Sequence, residues 1–359
     1  RLVEVHRLKK QLQDAFQFEV DQAMGVEDGG EPADVHVRIA GEHSKKGRLV
    51  PRGFLSTVSF ENAPQNINSQ QSGRRELAEW IAHPNNPLTA RVAVNRIWYH
   101  LFGRGLVGSL DNFGSAGETP SHANLLDHLA HRFVHEFAWS RKRMIRYLMT
   151  SRTYQLSSAE ANATDKHLSV DPDAGLYWRM SPRRLEAEAI RDSMLAVSGR
   201  LNSERPQGSP LVDFEYHADI VHSDRTRALE MLAGNQRTIY VPTLRGHRHK
   251  LYELFNYPDD EAVNSARTTG SVPTQALYLM NNPVVMGYAA ALADRLDNEI
   301  LTDPQERIER LYQLCFGRPS TVEERATDLT FLQSQDNHKQ AWRHLAHSFL
   351  ISGEFLFRF

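Results

Sequence analysis

The stretch NPLTARVAVNRIWYHLFGRGLVGSLDNFGSAGETPS, residues 86–121, decides the fold class. Asn86 followed by Pro87 is typical of a helix start, and apolar residues then recur every three or four positions as far as Gly103. Glycines and polar residues come next, and Ser121 opens a second helical pattern. The stretch therefore predicts a helix, a glycine-rich loop and a second helix.

Helical patterns continue on both sides of this stretch. Leu77, Trp80 and Ile81 form an amphipathic stripe that Pro84 ends. A long helix is predicted from Ser181 to Gly199. The other predicted helices begin at Ser140, at Asp303 and at Ser320, and a last one covers residues 341–351. The chain is thus predicted to be mainly α.

Minor β structure is predicted in two places. Residues 34–40 alternate apolar and polar side chains, and residues 237–244, RTIYVPTL, favour a strand. Residues 1–71 are predicted to be a β-containing N-terminal segment, followed by a helical domain over residues 72–359. Within that domain, the pattern loosens at about 201–272, which predicts a loosely ordered insert.

Composition bears on the classes of partner. The 42 Lys and Arg residues nearly balance the 44 Asp and Glu residues, so no long-range field should steer the chain to nucleic acid. The apolar stretches are shorter than the ~20 residues of a membrane helix. Cys315 is the single cysteine, which excludes an intrachain disulfide and a CxxCH haem attachment. Because the sequence opens at Arg1 without Met and without a charged-then-apolar segment, we expect a fragment or processed product, with any targeting information upstream.

Gly103, Gly105 and Gly108 spell the dinucleotide fingerprint G-x-G-x-x-G. In a nucleotide-binding unit this motif follows a strand and opens a helix, whereas here it follows a predicted helix that ends at Phe102. The favoured interpretation is a helix C-terminus running into a loop that needs positive φ.

Two histidine groups are weaker candidates for a metal site. His128, His131 and His135 share one face of a predicted helix, but that face lies opposite the apolar one and should be solvated. The GHRHK run at residues 246–250 is interpreted as an exposed loop. No metal site and no cofactor are predicted.

The segment PRRLEAEAIRDSML, residues 182–195, holds a charged constellation. If it is helical throughout, Arg184, Glu188 and Arg191 fall on one flank at i, i+4 and i+7, with Asp192 beside them. These charges could pair along the helix as a structural feature. Alternatively, partial desolvation could tune them for acid–base work or anion binding.

Residues 86–121 have the same ambiguity. Asp111 lies in a glycine-bounded loop, where side chain and backbone can meet a ligand. The structural alternatives are helix capping, an Asx turn and buried arginines. The candidate ligand-binding residues of this stretch are Arg91, Asn95, Arg96, Trp98, His100 and Asn112.

Several ordered blocks resemble a planctomycete domain of unknown function often called PSD-one. They include NRIW (Asn95 to Trp98), FGRGLV (Phe102 to Val107), DNFG (Asp111 to Gly114), RRLEAEAIRD (Arg183 to Asp192) and TQAL (Thr274 to Leu277). The similarity covers residues 73–359, and VHVRIAGEHSKKGRLVPRGFL before it resembles a segment that joins this domain to an upstream one.

The resemblance implies a setting and leaves the reaction open. Members are typically C-terminal parts of large exported proteins, often with a cytochrome-c-like module, so export to the periplasm or cell surface is expected. Upstream domains of the same parent protein are the expected partners, and any haem belongs to those domains. The usual domain company suggests polysaccharide as a ligand.

Three hypotheses about function follow. The leading one is a binding module with a polar cleft built from residues 86–121 and the predicted helix of Arg184, for a polar or anionic ligand such as a carbohydrate, or for a sister domain. The second is a polysaccharide hydrolase that uses Glu188 or Asp192 with Asp111 as its carboxylate pair. The third is a purely structural interdomain module.

Overall fold

The computed structural model describes residues 25–64, 67–158, 164–207, 234–243, 249–258, 264–267, 270–299 and 303–359. Helices hold 49% of the described residues and strands 5%, which confirms the mainly α class. The chain divides into two compact units, residues 1–91 and 92–359. The predicted division at residue 71 stays a prediction, and much of the predicted insert at 201–272 lies outside the described residues.

The described part of the first unit contains an antiparallel hairpin and a helix. Strand β1, Val35–Arg38, pairs with β2, Lys46–Val50, and a 3₁₀ turn over Ile39–Gly41 follows β1. The strand predicted at 34–40 is therefore confirmed over its first part. Helix α1 covers Arg74–Ala82, and its Trp80 is buried.

Helix α2, Thr89–Phe102, begins two residues after Pro87, the first helical residue that the Asn–Pro signal predicts. The Asn86 Oδ1 atom accepts hydrogen bonds from the N–H groups of Leu88 (2.9 Å) and Thr89 (3.3 Å). At the other end, Gly103 has φ +88° and its N–H donates to the carbonyl oxygen of Tyr99 at 2.8 Å. This left-handed glycine terminates the helix, as the sequence predicts.

Two helices pack beside α2. They are α3, Ala123–His135, and α4, Arg141–Met149, which starts at its predicted cap Ser140. Helix α3 begins two residues later than predicted, because the N–H and hydroxyl of Ser121 both donate to the carbonyl oxygen of Leu106. The buried side chains of this first apolar cluster are Val94, Trp98, Phe102, Leu106, Val107, Leu126, Leu129, Phe133, Met144, Leu148 and Met180.

The remaining helices, apart from a short α5, form a second apolar cluster. Its centre includes Ile190, Leu292, Leu311 and Leu350, which are all fully buried. The bounds of these helices are α5 Asp165–Val170, α6 Ala187–Val197, α7 Lys250–Leu254, α8 Pro273–Asn281, α9 Pro283–Asn298, α10 Pro304–Phe316, α11 Val322–Gln333, α12 His338–Leu350 and α13 Gly353–Leu356.

The predicted helix from Ser181 is wrong over its first turn and a half. Strand β3, Arg183–Arg184, pairs antiparallel with β4, Phe357–Arg358, and the N–H of Leu185 donates to the carbonyl oxygen of Leu356 at 2.8 Å. These long-range backbone bonds hold the segment extended, so α6 begins only at Ala187. The predicted end at Gly199 agrees with the structure.

The strand predicted at 237–244 is also wrong over its described residues, 237–243. Residues Thr238–Tyr240 form a 3₁₀ turn instead. The N–H of Thr238 donates to Asp192 Oδ1 at 2.8 Å, and Pro242 has no N–H to offer a sheet. A side chain on α6 therefore takes the hydrogen bond that a neighbouring strand would need.

Cap signals place the later helices well. Asp303 caps α10 by accepting from the N–H of Gln305 at 2.9 Å, as predicted. The capping box of α11 uses Thr321 with Glu324, one residue after the predicted position, because the Ser320 hydroxyl donates to Glu309. Across the described ranges, no helix combines the length and apolar character needed to cross a membrane.

Candidate functional site

A cleft of about 310 Å³ lies at the C-terminal end of α2, beside the β3–β4 pair. Its walls come from the glycine turn after α2, from β3 and from the segment before α8. The lining residues are Tyr99, Phe102, Gly103, Arg104, Ser181, Pro182, Arg183, Arg184, Gly270, Ser271 and Phe357.

Arg183 is oriented by the end of α2. Its Nη1 atom donates to the carbonyl oxygens of His100 at 2.6 Å and Tyr99 at 3.4 Å, and the guanidinium lies 5.6 Å from the Tyr99 ring centroid. The last carbonyls of a helix lack partners within the helix and carry a partial negative charge. Arg183 therefore satisfies these acceptors while its positive charge remains at the cleft.

Arg358 contacts the same helix end from β4. Its Nη2 atom donates to the carbonyl oxygen of Leu101 at 3.1 Å, and its Nη1 atom donates to the Tyr154 hydroxyl at 3.0 Å. Three consecutive carbonyls of α2, at Tyr99, His100 and Leu101, thus accept from arginines on the two paired strands.

Arg184 points toward the segment before α8. Its Nη1 atom donates to the carbonyl oxygen of Gly270 and to Gln275 Oε1, the latter at 2.6 Å, and its guanidinium lies 5.6 Å from the Phe255 ring centroid. Gln275 is buried and donates to the carbonyl oxygen of Leu254 at 2.8 Å. Burial lowers the pKa of Arg184, although a guanidinium stays charged at neutral pH.

The cleft carries positive charge that no lining carboxylate balances. Arg104, Arg183 and Arg184 line it, and no Asp or Glu is among its described lining residues. Among the described residues, Arg183 forms a long ion pair with Glu186, whose Oε1 atom lies 3.8 Å from Nη2. Arg104 is exposed, and no described carboxylate lies within 4 Å of its guanidinium. Such a site is suited to an anion.

Glu188 of α6, one of the predicted catalytic carboxylates, is bound to an arginine. Its Oε2 and Oε1 atoms accept from Arg267 Nη1 and Nη2 at 2.6 and 2.7 Å, in a bidentate pair. Glu186 lies 3.5 Å from the same guanidinium. Glu188 and Arg184 do not share a helix flank, because Arg184 belongs to β3.

Asp192 and Arg191 hold the segment that follows residue 233. Asp192 Oδ1 accepts from the Thr238 hydroxyl at 2.6 Å as well as from its N–H. Arg191 is buried, and its guanidinium donates to the carbonyl oxygens of Gly234 (2.7 Å) and Gln236 (2.8 Å). Both side chains are thus engaged in holding the backbone of residues 234–238.

Asp111 and Asn112 lie in the exposed loop after Leu110. The Asn112 Oδ1 atom accepts from the N–H of Gly114 at 3.0 Å, which is an Asx turn. Neither residue lines the cleft. The predicted pairing of Asp111 with Glu188 or Asp192 at one pocket therefore finds no geometric support.

Asn95 and Trp98 have structural roles in the first apolar cluster. Asn95 is fully buried; its Nδ2 atom donates to the carbonyl oxygen of Val107, and its Oδ1 atom accepts from the N–H of Val107, both at 2.9 Å. Trp98 Nε1 donates to the Tyr177 hydroxyl at 2.8 Å. In the first unit, Arg91 donates to the carbonyl oxygen of Pro87.

Arg96 and His100 do not line this cleft, although the sequence groups them with Arg184. They line a separate groove with Phe133 of α3 and Arg141 of α4. Helical periodicity alone does not separate them, because residues 96, 99, 100 and 103 are spaced i, i+3, i+4 and i+7 along α2. The packing partners do: α3 and α4 complete the groove on one side of this stripe, and β3 completes the cleft on the other.

The histidine groups divide between surface and interior. His128, His131 and His135 are exposed, as predicted. His249 is buried, contrary to the exposed-loop interpretation; its Nδ1 atom accepts from the N–H of Leu251, and burial lowers its pKa to about 4. Residues 246–248 lie outside the described residues. Within the ranges that the structure describes, no group of three His, Cys, Asp or Glu side chains could hold a metal ion.

Arg184 is the one described lining residue of the cleft that the sequence predicts as a site residue; those it misses include Arg104, Arg183 and Phe357. Arg104 and Arg183 lie inside the FGRGLV and RRLEAEAIRD blocks, so their location in those blocks was a usable signal. Phe357 lies far along the chain and reaches the cleft only through the β3–β4 pairing, for which the sequence offers no local signal.

Comparison with known proteins identifies a family and no activity. No curated protein and no solved structure matches the chain significantly. The model of the PSD1 family, described as "Protein of unknown function (DUF1553)", matches residues 73–332. That range includes all of the cleft except Phe357. The chain therefore belongs to the PSD1 family, whose function is unknown.

Proposed function

We propose that this chain is a binding module whose cleft takes an anionic ligand, in particular a carbohydrate that carries carboxylate or sulfate groups. One observation carries the proposal: Arg104, Arg183 and Arg184 line one cleft, and its described lining contains no acidic residue. Arginine suits such ligands because its planar fork of N–H donors matches a carboxylate or sulfate.

The hydrogen bonds of Arg183 and Arg184 support anion binding rather than internal neutralisation. Their short partners are backbone carbonyls and the Gln275 side-chain amide, which are neutral. Neutral acceptors fix the orientation of a guanidinium and leave its net charge in place. The two charges are therefore preorganised for an incoming anion, and such preorganisation lowers the entropic cost of binding.

The remaining lining suits a sugar. The cavity volume of about 310 Å³ is at the small end of the range for ligand sites. Tyr99 and Phe357 offer apolar ring surface for the C–H face of a pyranose, and Ser181 and Ser271 offer hydroxyl groups for its hydroxyls. One or two acidic sugar residues would fill this space.

The proposal places this module in an exported, planctomycete-type multidomain protein, as the resemblance in sequence implies. Its partners there would be the upstream domains and a polysaccharide ligand. The contacts of Glu188 with Arg267 and of Asp192 with Thr238 favour binding over hydrolysis by a carboxylate pair. A polysaccharide hydrolase is therefore the less favoured function.

Isothermal titration calorimetry with trigalacturonate as the acidic probe and cellotriose as the neutral one tests the proposal. We expect trigalacturonate to bind and cellotriose to bind at least tenfold more weakly. Arg104→Gln should weaken trigalacturonate binding about tenfold, which corresponds to about 1.4 kcal/mol for one charge-assisted contact. Arg104→Lys should keep part of the affinity, because it keeps the charge.

Arg143→Gln is the matched control, since Arg143 is an exposed arginine on α4 that does not line the cleft. Equal binding of both sugars, or equal loss in the Arg104 and Arg143 variants, would contradict an arginine-based site. Absence of binding by the folded wild type to trigalacturonate and to a sulfated trisaccharide would favour the purely structural module.

A further inference from the structure

A second groove lies on another side of α2. Ala93, Arg96, Ile97, His100 and Leu101 recur at i, i+3, i+4, i+7 and i+8, which places them on one helical stripe. Phe133 of α3 and Ile145 of α4 complete the apolar surface of the groove, and its volume is about 490 Å³. Ile145 is 37% exposed, so part of this apolar surface faces solvent.

Two arginine side chains lie beside this apolar surface. Arg96 and Arg141 both line the groove and are exposed. Its described lining contains no Asp or Glu, and no described carboxylate lies within 4 Å of either guanidinium. Burial lowers the pKa of His100, so the positive charge of the groove at neutral pH comes from the two arginines.

We propose that this groove binds an amphipathic alkyl carboxylate, with the chain along Ile97, Leu101 and Ile145 and the carboxylate at Arg96 and Arg141. Charge complementarity selects the anion, and the apolar floor selects the hydrocarbon chain. The size suits a small molecule, because 490 Å³ lies within the range of small-ligand sites. This site is independent of the arginine cleft.

Calorimetric titration with decanoate at neutral pH is the direct test. We expect decanoate to bind, acetate to fail to displace it, and decyltrimethylammonium to bind more weakly than decanoate. Arg96→Gln and Arg141→Gln should each weaken decanoate binding about threefold, and the double variant about tenfold. In the double variant the preference for decanoate over decyltrimethylammonium should disappear.

Two further variants distinguish the contribution of the apolar surface to decanoate binding from that of the two arginines. Ile145→Ser should weaken decanoate binding without unfolding the chain, since Ile145 is partly exposed. Arg143→Gln, on the same helix and outside the groove, should leave decanoate binding unchanged. Circular dichroism melting of each variant verifies that the chain is folded before titration.

Several outcomes would overturn the proposal. They are failure of the wild type to bind decanoate, equal decanoate affinity in wild type and double variant, or full displacement by acetate. A concentration-dependent dimer that Ile145→Ser abolishes would assign the groove to a second copy of the chain instead.

Discussion

The Nη1 atom of Arg183 donates a hydrogen bond of 2.6 Å to the backbone carbonyl oxygen of His100, 83 residues earlier in the chain. The bond joins β3 to the end of α2, and Gly103 makes room for it: a Cβ there would lie 3.3 Å from Arg183 Cδ. The same guanidinium supplies positive charge to the cleft. Architecture and proposed ligand recognition therefore depend on one side chain.

Arg183→Gln should lower the free energy of unfolding by about 1–3 kcal/mol, because it leaves carbonyl groups at the end of α2 without their charged donor. Urea denaturation followed by circular dichroism measures the change. Arg143→Gln should stay within about 0.5 kcal/mol of wild type, as expected for a surface substitution. A loss in both variants of similar size would contradict a specific role for Arg183.

Asn95→Leu should destabilise the chain more than Arg183→Gln does. We expect it to lower the free energy of unfolding by about 2–4 kcal/mol. Leucine has the same branched shape and number of heavy atoms but offers no hydrogen-bond partner to the buried N–H and carbonyl groups of Val107. Thermal unfolding of the variant should show a markedly lower Tm. Asn112→Ala removes an exposed Asx turn and should cost less than about 1 kcal/mol.

Two glycines of the G-x-G-x-x-G motif should respond differently to alanine. A Cβ on Gly105 would collide with the carbonyl oxygen of Val107 and approach Asn95 Nδ2, so Gly105→Ala should displace the loop and destabilise the chain strongly. A Cβ on Gly108 meets only the carboxylate end of Glu118, which is flexible and exposed. Gly108→Ala should therefore lower the free energy of unfolding much less than Gly105→Ala does. Comparable losses in the two variants would contradict this packing.

Acid sensitivity should depend on Glu324. Its carboxylate accepts from Arg318 Nη1 and Nη2 at 2.9 and 2.8 Å and from the N–H of Thr321, and these bonds lower its pKa from 4.5 to about 2. A depressed folded-state pKa adds stability above pH 4.5 and loses it as the pH falls toward 2. The stability difference between wild type and Glu324→Gln should therefore shrink over that interval.

Chemical denaturation at pH 7, 4.5, 3 and 2 measures the effect of Glu324→Gln. Glu323→Gln is the neighbouring control, because Glu323 is exposed and lies in the same first turn of α11. A stability difference for Glu324→Gln that stays constant with pH would exclude the assigned charge coupling.

Local sequence signals predict several helix starts in this chain. Asn86, Ser140 and Asp303 cap helices in the structure because an Asn, Ser or Asp oxygen next to a helix start reaches an unpaired N–H directly. The helix starts predicted at Ser121 and Ser320 are displaced in the structure for one shared reason. Each has its hydroxyl donating to a group elsewhere, Leu106 and Glu309 respectively, and so does not cap the following helix.

The composition of the site was less predictable than the fold. Arg184 and Glu188 have ideal helical spacing in sequence, yet pairing with Phe357 keeps Arg184 in a strand. The sequence groups Arg96 with the cleft residues because it neighbours them along the chain, whereas the packing of α3 and α4 beside it makes it part of another groove. Both errors arise from contacts and directions that depend on packing partners distant in the chain.

The pairing of β3 with β4 has a consequence for synthesis on the ribosome. Leu101 and Arg358 are 257 residues apart, so the carbonyls at the end of α2 exist long before their last arginine is translated. The first apolar cluster can condense early, while the cleft gains its Phe357 wall only when the strand near residue 357 emerges. Ligand competence would then report that nearly the whole described chain has been made and folded.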